Sequence, residues 1–304
     1  LELFRETEKN DHLTPVTASH FLTTMNYSDN FSQEEYLKYC KKIDKKFDIN
    51  SEELKNRKKY NLGDDLKIGF ISPDFIEHSV YYFLNSTFDS LKKNAIKIYA
   101  FNLRDENELD DISKDLKNKC DKWVDLSKLS DLESANVIVE NKINILIDLA
   151  GHFARNRFRI LKYKPSPIQI SWMGYVNSTG IKEIDYILTD KNLIKPDEEK
   201  LYTEKVLRLP NIWNCHSGID DKFKVNEPPL KKNGYLTFGC FNNSSKMSIE
   251  CIDTWSEILT KIEDCKIMIK APSEDAEIAQ KIILEKFKKN NIEENRIIFE
   301  KRKK

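Results

Sequence analysis

Residues 66–79 read LKIGFISPDFIEHS and set the pattern that the rest of the chain repeats. A short apolar run ends at a turn in which Pro73 restricts the backbone, and Ser79 supplies a hydroxyl suited to a helix start. This is the pattern of a buried strand that passes into a helix. Asp74 and His78 lie in the turn, where open α/β sheets bind their ligands.

The same alternation of strands and helices continues along the chain. The predicted strands cover residues 66–72, 96–102, 122–126, 143–149, 168–173, 184–189 and 205–209, and the predicted helices cover residues 79–92, 106–119 and 129–141. Strand, helix, strand at this spacing predicts right-handed crossovers and a parallel, doubly wound sheet. After a polar stretch, a second alternation predicts strands 235–241, 265–270 and 296–299 with helices 248–262 and 273–289. The second sheet has only half of its expected strands.

We divide the chain into three segments. Residues 1–62 are predicted to be a helical lead-in and linker, residues 63–226 a first Rossmann-like lobe, and residues 232–304 a partial second lobe. The lead-in has apolar residues at helical spacing over 16–27 and 33–47, followed by a charged linker over 50–65. Because the chain starts on Leu1 and ends in four basic residues, we expect it to be a fragment.

Composition excludes several classes of protein. The 304 residues carry 50 basic and 50 acidic side chains. Because the formal net charge is zero, we expect no nucleic acid or other polyelectrolyte as a partner. No apolar run reaches the ~20 residues that a membrane span needs, and no secretion signal is present at the N-terminus, so we expect a cytoplasmic protein without a membrane span. The six cysteines contain no Cys-x-x-Cys pair and indicate neither a disulfide framework nor a zinc site.

Two histidines follow the ends of predicted strands. A carboxylate near an imidazole, as at Asp74 and His78, suits proton transfer or hydrogen bonding to a hydroxyl substrate. His152 follows another strand end, after Gly151, and would face the same crevice if the two strands are adjacent. The alternatives are that Asp74 is a turn residue and that both histidines are structural.

Two further loops follow strands. Residues 172–180 combine aromatic side chains, among them Tyr175, with glycines and hydroxyls, which suits a groove for a peptide or a sugar. The alternative is a surface turn whose aromatics lie in the core. Residues 241–248 carry Asn243 and Lys246 and are suited to hold a diphosphate at a helix start, or are simply a polar capped loop. No dinucleotide-binding glycine motif and no Walker loop is present.

Taken in order, these motifs resemble the catalytic region of the protein O-linked N-acetylglucosamine transferases and SPINDLY-like proteins, glycosyltransferase family forty-one. The resemblance covers roughly residues 16–300. The matching blocks are Ser72-Pro73-Asp74-Phe75 with His78-Ser79-Val80 and Phe83; Asp148-Leu149-Ala150-Gly151-His152 with Asn156-Arg157; Pro167-Ile168-Gln169 with Trp172, Gly174-Tyr175, Thr179-Gly180 and Asp185-Tyr186; and Thr237-Phe238-Gly239 with Phe241-Asn242-Asn243 and Lys246.

The resemblance implies a two-lobed GT-B fold that transfers N-acetylglucosamine, with inversion, from UDP-GlcNAc to Ser or Thr of a polypeptide. It implies no cofactor, no metal and a repeat domain upstream. By position, His78, Asp74 and Lys246 are the catalytic residues, and Asn243 and Lys246 bind the nucleotide. The positions assigned to substrate binding are His20, His152, Gly174, Tyr175 and Thr179.

The sequence also departs from the family pattern at a few positions. Phe153 replaces a usual Thr, and Val176 and Asn177 replace a common Pro-Gly, so the donor and acceptor preferences stay open. Two other classes of function remain. One is a peptide-binding module without catalysis, and the other is a nucleotide-sugar transferase that acts on a small molecule or glycan.

Overall fold

A computed structural model describes residues 6, 13–28, 30–49, 65–218, 224–270 and 276–300. The predicted linker except for its last residue, the predicted start of helix 273–289 and the basic residues 301–304 lie outside this part of the chain. The chain folds into two compact units. The first comprises Leu1–Asn26 with Asn30–Ile219, and the second comprises Asp220–Lys304 with Tyr27–Asp29. The segment boundaries drawn from the sequence, at residues 62 and 226–232, remain predictions.

Among the described residues of 13–49, the first unit has two α-helices. Helix α1 is Pro15–Met25 and helix α2 is Gln33–Ile43, and a 3-10 turn over Asp44–Phe47 extends α2. Each helix starts at a capping box, in which Thr14 or Ser32 exchanges hydrogen bonds with the residue three positions later. The helical lead-in is therefore present as the spacing predicts.

A seven-stranded parallel sheet forms the body of this unit. Its strands are β1 Lys67–Ser72, β2 Lys97–Asn102, β3 Lys122–Asp125, β4 Ile145–Asp148, β5 Ile168–Ser171, β6 Tyr186–Thr189 and β7 Lys205–Arg208. The helices between them are α3 Ser79–Lys93, α4 Asp111–Lys119, α5 Asp131–Glu140 and the short α6 Phe158–Lys162. The predicted α/β fold is confirmed, with strand ends that differ by one or two residues.

The strand order places a topological switch at the centre of the sheet. The order is β3-β2-β1-β4-β5-β6-β7, so the chain winds outward from β1 to β3 and then returns to the other side of β1. The register pairs Ile71 of β1 with Asp148 of β4. In open α/β sheets the ligand crevice lies beyond the carboxyl ends of the strands at this switch. The turns after β1 and β4 flank it.

Apolar side chains cover both faces of the sheet. On one face, Phe21 of α1 and Cys40 of α2 are buried in the same cluster as Leu146 of β4. On the other face, Phe88 of α3 packs with Phe70 of β1. The lead-in helices thus share a hydrophobic core with the sheet, because their apolar stripes supply part of its cover.

A buried ammonium group joins the lead-in to the sheet. The side chain of Lys162 is 5% exposed, and its Nζ lies 3.0 Å from Asp44 Oδ1 and 3.1 Å from Glu183 Oε2. Burial lowers the pKa of Lys162, but the hydrogen bond that it donates to Asp44 and its ion pair with Glu183 outweigh burial, and the net pKa is raised. The group therefore stays charged in the folded protein.

Removal of this ammonium is expected to destabilise the first unit. Lys162→Met leaves the Asp44 carboxylate buried without its closest cation, so we expect the free energy of unfolding to fall by about 3 kcal/mol. Urea denaturation at pH 7, followed by circular dichroism, measures the change.

The matched control is an exposed ion pair of the same unit. Lys114 and Asp111 are 77% and 95% exposed, and Lys114→Met should change the free energy of unfolding by less than about 1 kcal/mol. Equal effects of the two substitutions would contradict the role assigned to Lys162.

The second unit is built on a smaller parallel sheet. Its elements are the short helix α7 Pro229–Asn233, β8 Leu236–Cys240, α8 Ile249–Lys261, β9 Cys265–Ile269, α9 Ala276–Lys289 and β10 Ile297–Phe299. The three strands lie in the order β10-β9-β8. Ile267 of β9, Leu259 of α8 and Phe287 of α9 lie in its core. Across the described part of the chain, none of the helices is both long and apolar enough to cross a bilayer.

Candidate active site

The turn after β1 holds Asp74 against an arginine. The backbone N–H of Asp74 donates to Ser72 Oγ at 2.9 Å, and Arg104 Nη2 lies 3.4 Å from Asp74 Oδ1. Arg104 also donates from Nε to the carbonyl of Pro73 at 2.6 Å. The guanidinium therefore fixes both the turn and the carboxylate, at the edge of the sheet where a ligand is expected.

His78 is exposed and caps the helix that follows. Its Nδ1 accepts a hydrogen bond from the N–H of Val80 at 3.4 Å, which satisfies one of the free amides at the start of α3. With Nδ1 as acceptor, the neutral ring carries its proton on Nε2. The imidazole can thus donate a hydrogen bond to a ligand oxygen while it caps the helix.

Asp148 ends β4 and shapes the neighbouring turn. Its carboxylate accepts the N–H of Gly151 at 2.8 Å and that of Ala150 at 3.3 Å. The pKa of Asp148 is raised to about 6, chiefly because the group is buried; the two hydrogen bonds oppose the rise, and the nearby Asp74 contributes to it. Gly151 has φ +55°, and a Cβ there would lie 2.1 Å from Tyr175 Cβ, so the turn requires glycine.

His152 lies in the interior and joins three segments. It is fully buried; its Nε2 donates to the carbonyl of Thr179 at 2.7 Å, and its Nδ1 lies 3.0 Å from Ser19 Oγ in α1. Thr23 of the same helix donates to the His152 carbonyl at 3.1 Å. Burial lowers the pKa of His152 to about 4, although the bond to Thr179 opposes this. The ring is therefore neutral and links α1 to the loop after β5.

The side chains of the loop 172–180 point mostly inward. Tyr175 is 3% exposed, and its hydroxyl contacts the hydroxyl of Tyr36 and accepts from Asn26 at 2.8 Å. Thr179 is 1% exposed and donates to Glu204. At Gly174 a Cβ would lie 1.7 Å from the carbonyl oxygen of Leu149, so the loop approaches the end of β4 as closely as glycine permits.

These positions differ from the sequence expectation of substrate-facing side chains. For His152, Tyr175 and Thr179, the structure favours the alternative in which the side chains pack inside the protein, because their polar atoms are already paired with other protein groups. Their contact with substrate remains a prediction. Val176 and Phe153, which depart from the family pattern, are exposed at 46% and 37%.

His20 is exposed on α1, next to the buried Ser19. The bond from Ser19 to His152 therefore sets the position of His20 relative to the turn after β4. Its assignment to substrate binding stays a prediction, as does that of Gly174. Through its hydrogen bonds to Ser19 and Thr179, His152 connects the helix that carries His20 with the loop that carries Gly174.

In the second unit, the two predicted nucleotide-binding residues follow β8. Asn243 Oδ1 accepts the N–H of Ser245 at 3.0 Å and starts a 3-10 turn over Ser244–Lys246. Lys246 is exposed at the end of this turn, and Ser248 caps α8. An ammonium group and a capped turn at the carboxyl end of a parallel strand are suited to an anionic ligand.

Sequence reasoning missed three residues of these segments. Arg104 lies two residues after the end of β2, where no motif stands out, and Glu204 lies directly before β7, so their tertiary contacts identify them. His216 follows β7 and stacks on Tyr82 of α3 with ring centroids 5.3 Å apart and an interplanar angle of 3°. Within the described residues, no group of three or more His, Cys, Asp or Glu side chains is arranged to hold a metal ion.

The buried histidine predicts a dependence of stability on pH. The unfolded chain protonates His152 near its ordinary pKa of ~6.5, whereas the folded protein does so only near 4, so the stability from this group is lost as the pH falls between these values. The raised pKa of Asp148 acts with the opposite sign, because the folded state then holds the extra proton between ~4 and about 6. The two contributions oppose each other in the wild type.

Substitutions of His152 and Asp148 separate these two contributions to the pH dependence of stability. We expect the stabilising difference between the wild type and His152→Gln to shrink by about 2 kcal/mol between pH 7 and pH 4.5, as measured by urea denaturation. For Asp148→Asn the difference should change in the opposite direction. A difference that stays constant with pH for His152→Gln would show that the histidine is not held neutral.

The chain was compared with known proteins. Residues 35–219 match the family described as glycosyl transferase family 41. Two relatives are named probable UDP-N-acetylglucosamine--peptide N-acetylglucosaminyltransferase SPINDLY. The one from Oryza sativa subsp. japonica is 33% identical over 67% of this chain and 22% of its own length. The one from Arabidopsis thaliana is 31% identical over 67% of this chain and 23% of its length.

The chain thus spans about a quarter of the length of these curated relatives. Among solved structures, a mutant of the Thermobaculum terrenum O-GlcNAc transferase matches with a TM-score of 0.86 and 21% identity, over 95% of this chain and 55% of that one. This likeness concerns the fold. The family match, which covers more than half of the chain, and the relatives agree with the motifs at the sheet edge, and we conclude that the chain belongs to glycosyltransferase family 41.

Proposed function

We propose that this chain contributes to an inverting transfer of N-acetylglucosamine from UDP-GlcNAc to Ser or Thr of a polypeptide. The observation that carries the proposal is the position of Asp74 and His78 at the switch point of the sheet, in a chain whose family is that of glycosyltransferases. The named relatives are UDP-GlcNAc–peptide transferases. A cytoplasmic location and an upstream repeat domain are parts of the same proposal.

The reaction requires few steps. The acceptor hydroxyl oxygen forms a bond to the anomeric carbon while the bond from that carbon to the UDP phosphate oxygen breaks, and the hydroxyl proton leaves to a base or to water. Negative charge grows on the departing diphosphate, where the Lys246 ammonium and the Asn243 turn stabilise it. His78 and Asp74 act at the sugar and the acceptor, by hydrogen bonding or proton transfer. We propose that no metal takes part.

A test of the proposed function uses the longest natural polypeptide that contains this sequence. It is incubated with a protein extract and UDP-GlcNAc, UDP-glucose or a GDP-linked sugar, and mass spectrometry locates the sugar. N-acetylglucosamine on Ser or Thr supports the proposal. Transfer of a different sugar would contradict the proposed donor. Transfer to a glycan or a small molecule would contradict the proposed acceptor. Peptide binding without nucleotide binding would contradict the enzymatic role.

The dual position of His78 allows its chemistry to be separated from helix capping. Asparagine is a strong N-cap residue but has no imidazole, so His78→Asn should keep α3 capped and still lower turnover about 100-fold. His78→Ala should lose turnover to a similar extent and also lose about 1 kcal/mol of unfolding free energy. Steady-state kinetics and urea denaturation measure the two effects. Near-normal turnover in His78→Asn would reduce the role of His78 to capping.

Removal of the Lys246 ammonium tests whether the second unit stabilises the departing diphosphate. Lys246→Ala should lower kcat about 100-fold, because the charge that develops on the diphosphate loses its cation. The control is Lys261→Ala, which removes an exposed lysine at the end of α8 whose Nζ lies 3.8 Å from Glu257 Oε2, and it should leave kcat unchanged. Near-normal turnover of Lys246→Ala would contradict the assigned role.

A further inference from the structure

Glu204, which lies directly before β7, is a buried carboxylate that accepts four hydrogen bonds. The residue is 4% exposed. Its Oε1 accepts from the N–H of Thr179 at 2.7 Å and from the hydroxyl of the same residue. Its Oε2 accepts from Ser178 Oγ at 2.8 Å and from Thr203 Oγ1 at 3.1 Å. Three of the four donors belong to the loop 172–180.

This loop has a backbone that needs support. Met173 has φ +71°, in the left-handed region that is unfavourable for residues other than glycine, and Gly180, with φ +72°, occupies the same region without that cost. Gly180 also lies against α2, where a Cβ would be 2.7 Å from the carbonyl oxygen of Cys40. The loop therefore keeps its shape only where its surroundings hold it.

Glu204 holds the loop on one side, and the lead-in holds it on the other. The carbonyl of Thr179 accepts from His152, while the carbonyl of Ser178 accepts from the hydroxyl of Tyr36 at 3.1 Å. Asn177 donates to Asn26 at 2.8 Å. The bonds to Glu204 thus fix residues 178 and 179, and the exposed Val176 lies two residues before them.

The chemistry of Glu204 argues against a role in stability alone. A buried carboxylate is costly to desolvate, and here hydrogen bonds rather than an ion pair satisfy it within the described residues. Apolar side chains of similar size would fill the same space without that cost, but they would leave the N–H of Thr179 unpaired. A carboxylate has two acceptor oxygens in a fixed geometry, and these oxygens define the orientation of several donors at once.

We propose that Glu204 is a positioning residue for the acceptor: it holds residues 176–180 in the one conformation that presents the exposed Val176 to the polypeptide. This inference rests on the proposed function and on the expectation that the loop 172–180 lines a groove for the acceptor. Glu204 itself touches neither the sugar nor the peptide. Its loss should weaken acceptor binding more than donor binding.

The first experiment does not depend on activity. Hydrogen–deuterium exchange is measured on the longest natural polypeptide that contains this sequence, for the wild type, Glu204→Ala and Glu204→Gln. The Thr179 amide should exchange at least tenfold faster in Glu204→Ala, and Glu204→Gln, which keeps one acceptor oxygen, should lie between the two. The control Asp121→Asn alters a carboxylate that accepts a backbone N–H elsewhere in the sheet, that of Ile98 at 2.9 Å, and should leave the Thr179 amide protected. Unchanged exchange in Glu204→Ala would overturn the inference.

The second experiment measures kinetics. Glu204→Ala should raise KM for a peptide acceptor about tenfold, leave KM for the sugar nucleotide within twofold, and be partly rescued in Glu204→Gln. Asp121→Asn should change neither KM. Where Glu204→Ala does not fold, Thr179→Val replaces it, because this variant removes the hydroxyl donor but keeps the N–H. It should also raise KM for the peptide acceptor more than KM for the sugar nucleotide, by a smaller factor.

The outcomes separate the two proposals. A rise of both KM values in parallel, or the same change in Asp121→Asn, would overturn the positioning role and leave the transferase activity in place. A wild-type protein that transfers no sugar to polypeptides would overturn the proposed function, and the positioning of the acceptor would fall with it. Faster exchange at Thr179 would then remain as evidence only that Glu204 holds the loop.

Discussion

The reversal of winding between β1 and β4 is the constraint on which the first unit depends. Because all seven strands are parallel, their carboxyl ends share one edge, and the two crossovers that leave in opposite directions open a crevice there. Backbone amides at that edge need partners, and the partners here are Asp148, Ser72 and the His78 ring. Polar side chains therefore collect at the switch for structural reasons before any substrate is considered.

The lead-in helices complete this edge. Their contribution is a set of polar contacts at the rim, made by Ser19, Tyr36 and Asn26, above an apolar core that they share with the sheet. The buried ion pair of Lys162 and Asp44 connects the end of α2 to α6. Loops that carry strained residues such as Met173 gain a single conformation from such contacts, and a site that binds a flexible peptide benefits from that order.

Several residues carry two roles, and this affects how substitutions must be interpreted. His78 is a helix cap and a candidate catalytic group, so its alanine variant alone cannot distinguish between loss of stability and loss of chemistry. His152 and Asp148 have pKa values shifted in opposite directions, so the wild-type pH profile conceals both. Comparisons between paired variants remove the ambiguity in each case.

The sequence by itself determined the order of the elements and the strand ends at which a site is expected. Apolar runs fix which segments become strands, turn chemistry fixes where they end, and parallel strands bring those ends together, so Asp74 and His78 could be proposed as site residues without coordinates. The tertiary structure alone decided which side chains face inward. His152, Tyr175 and Thr179 have polar atoms that either a substrate or the protein can satisfy, and their partners Ser19, Tyr36 and Glu204 lie 25 to 139 positions away in the chain. Local patterns carry no information about such distant pairings.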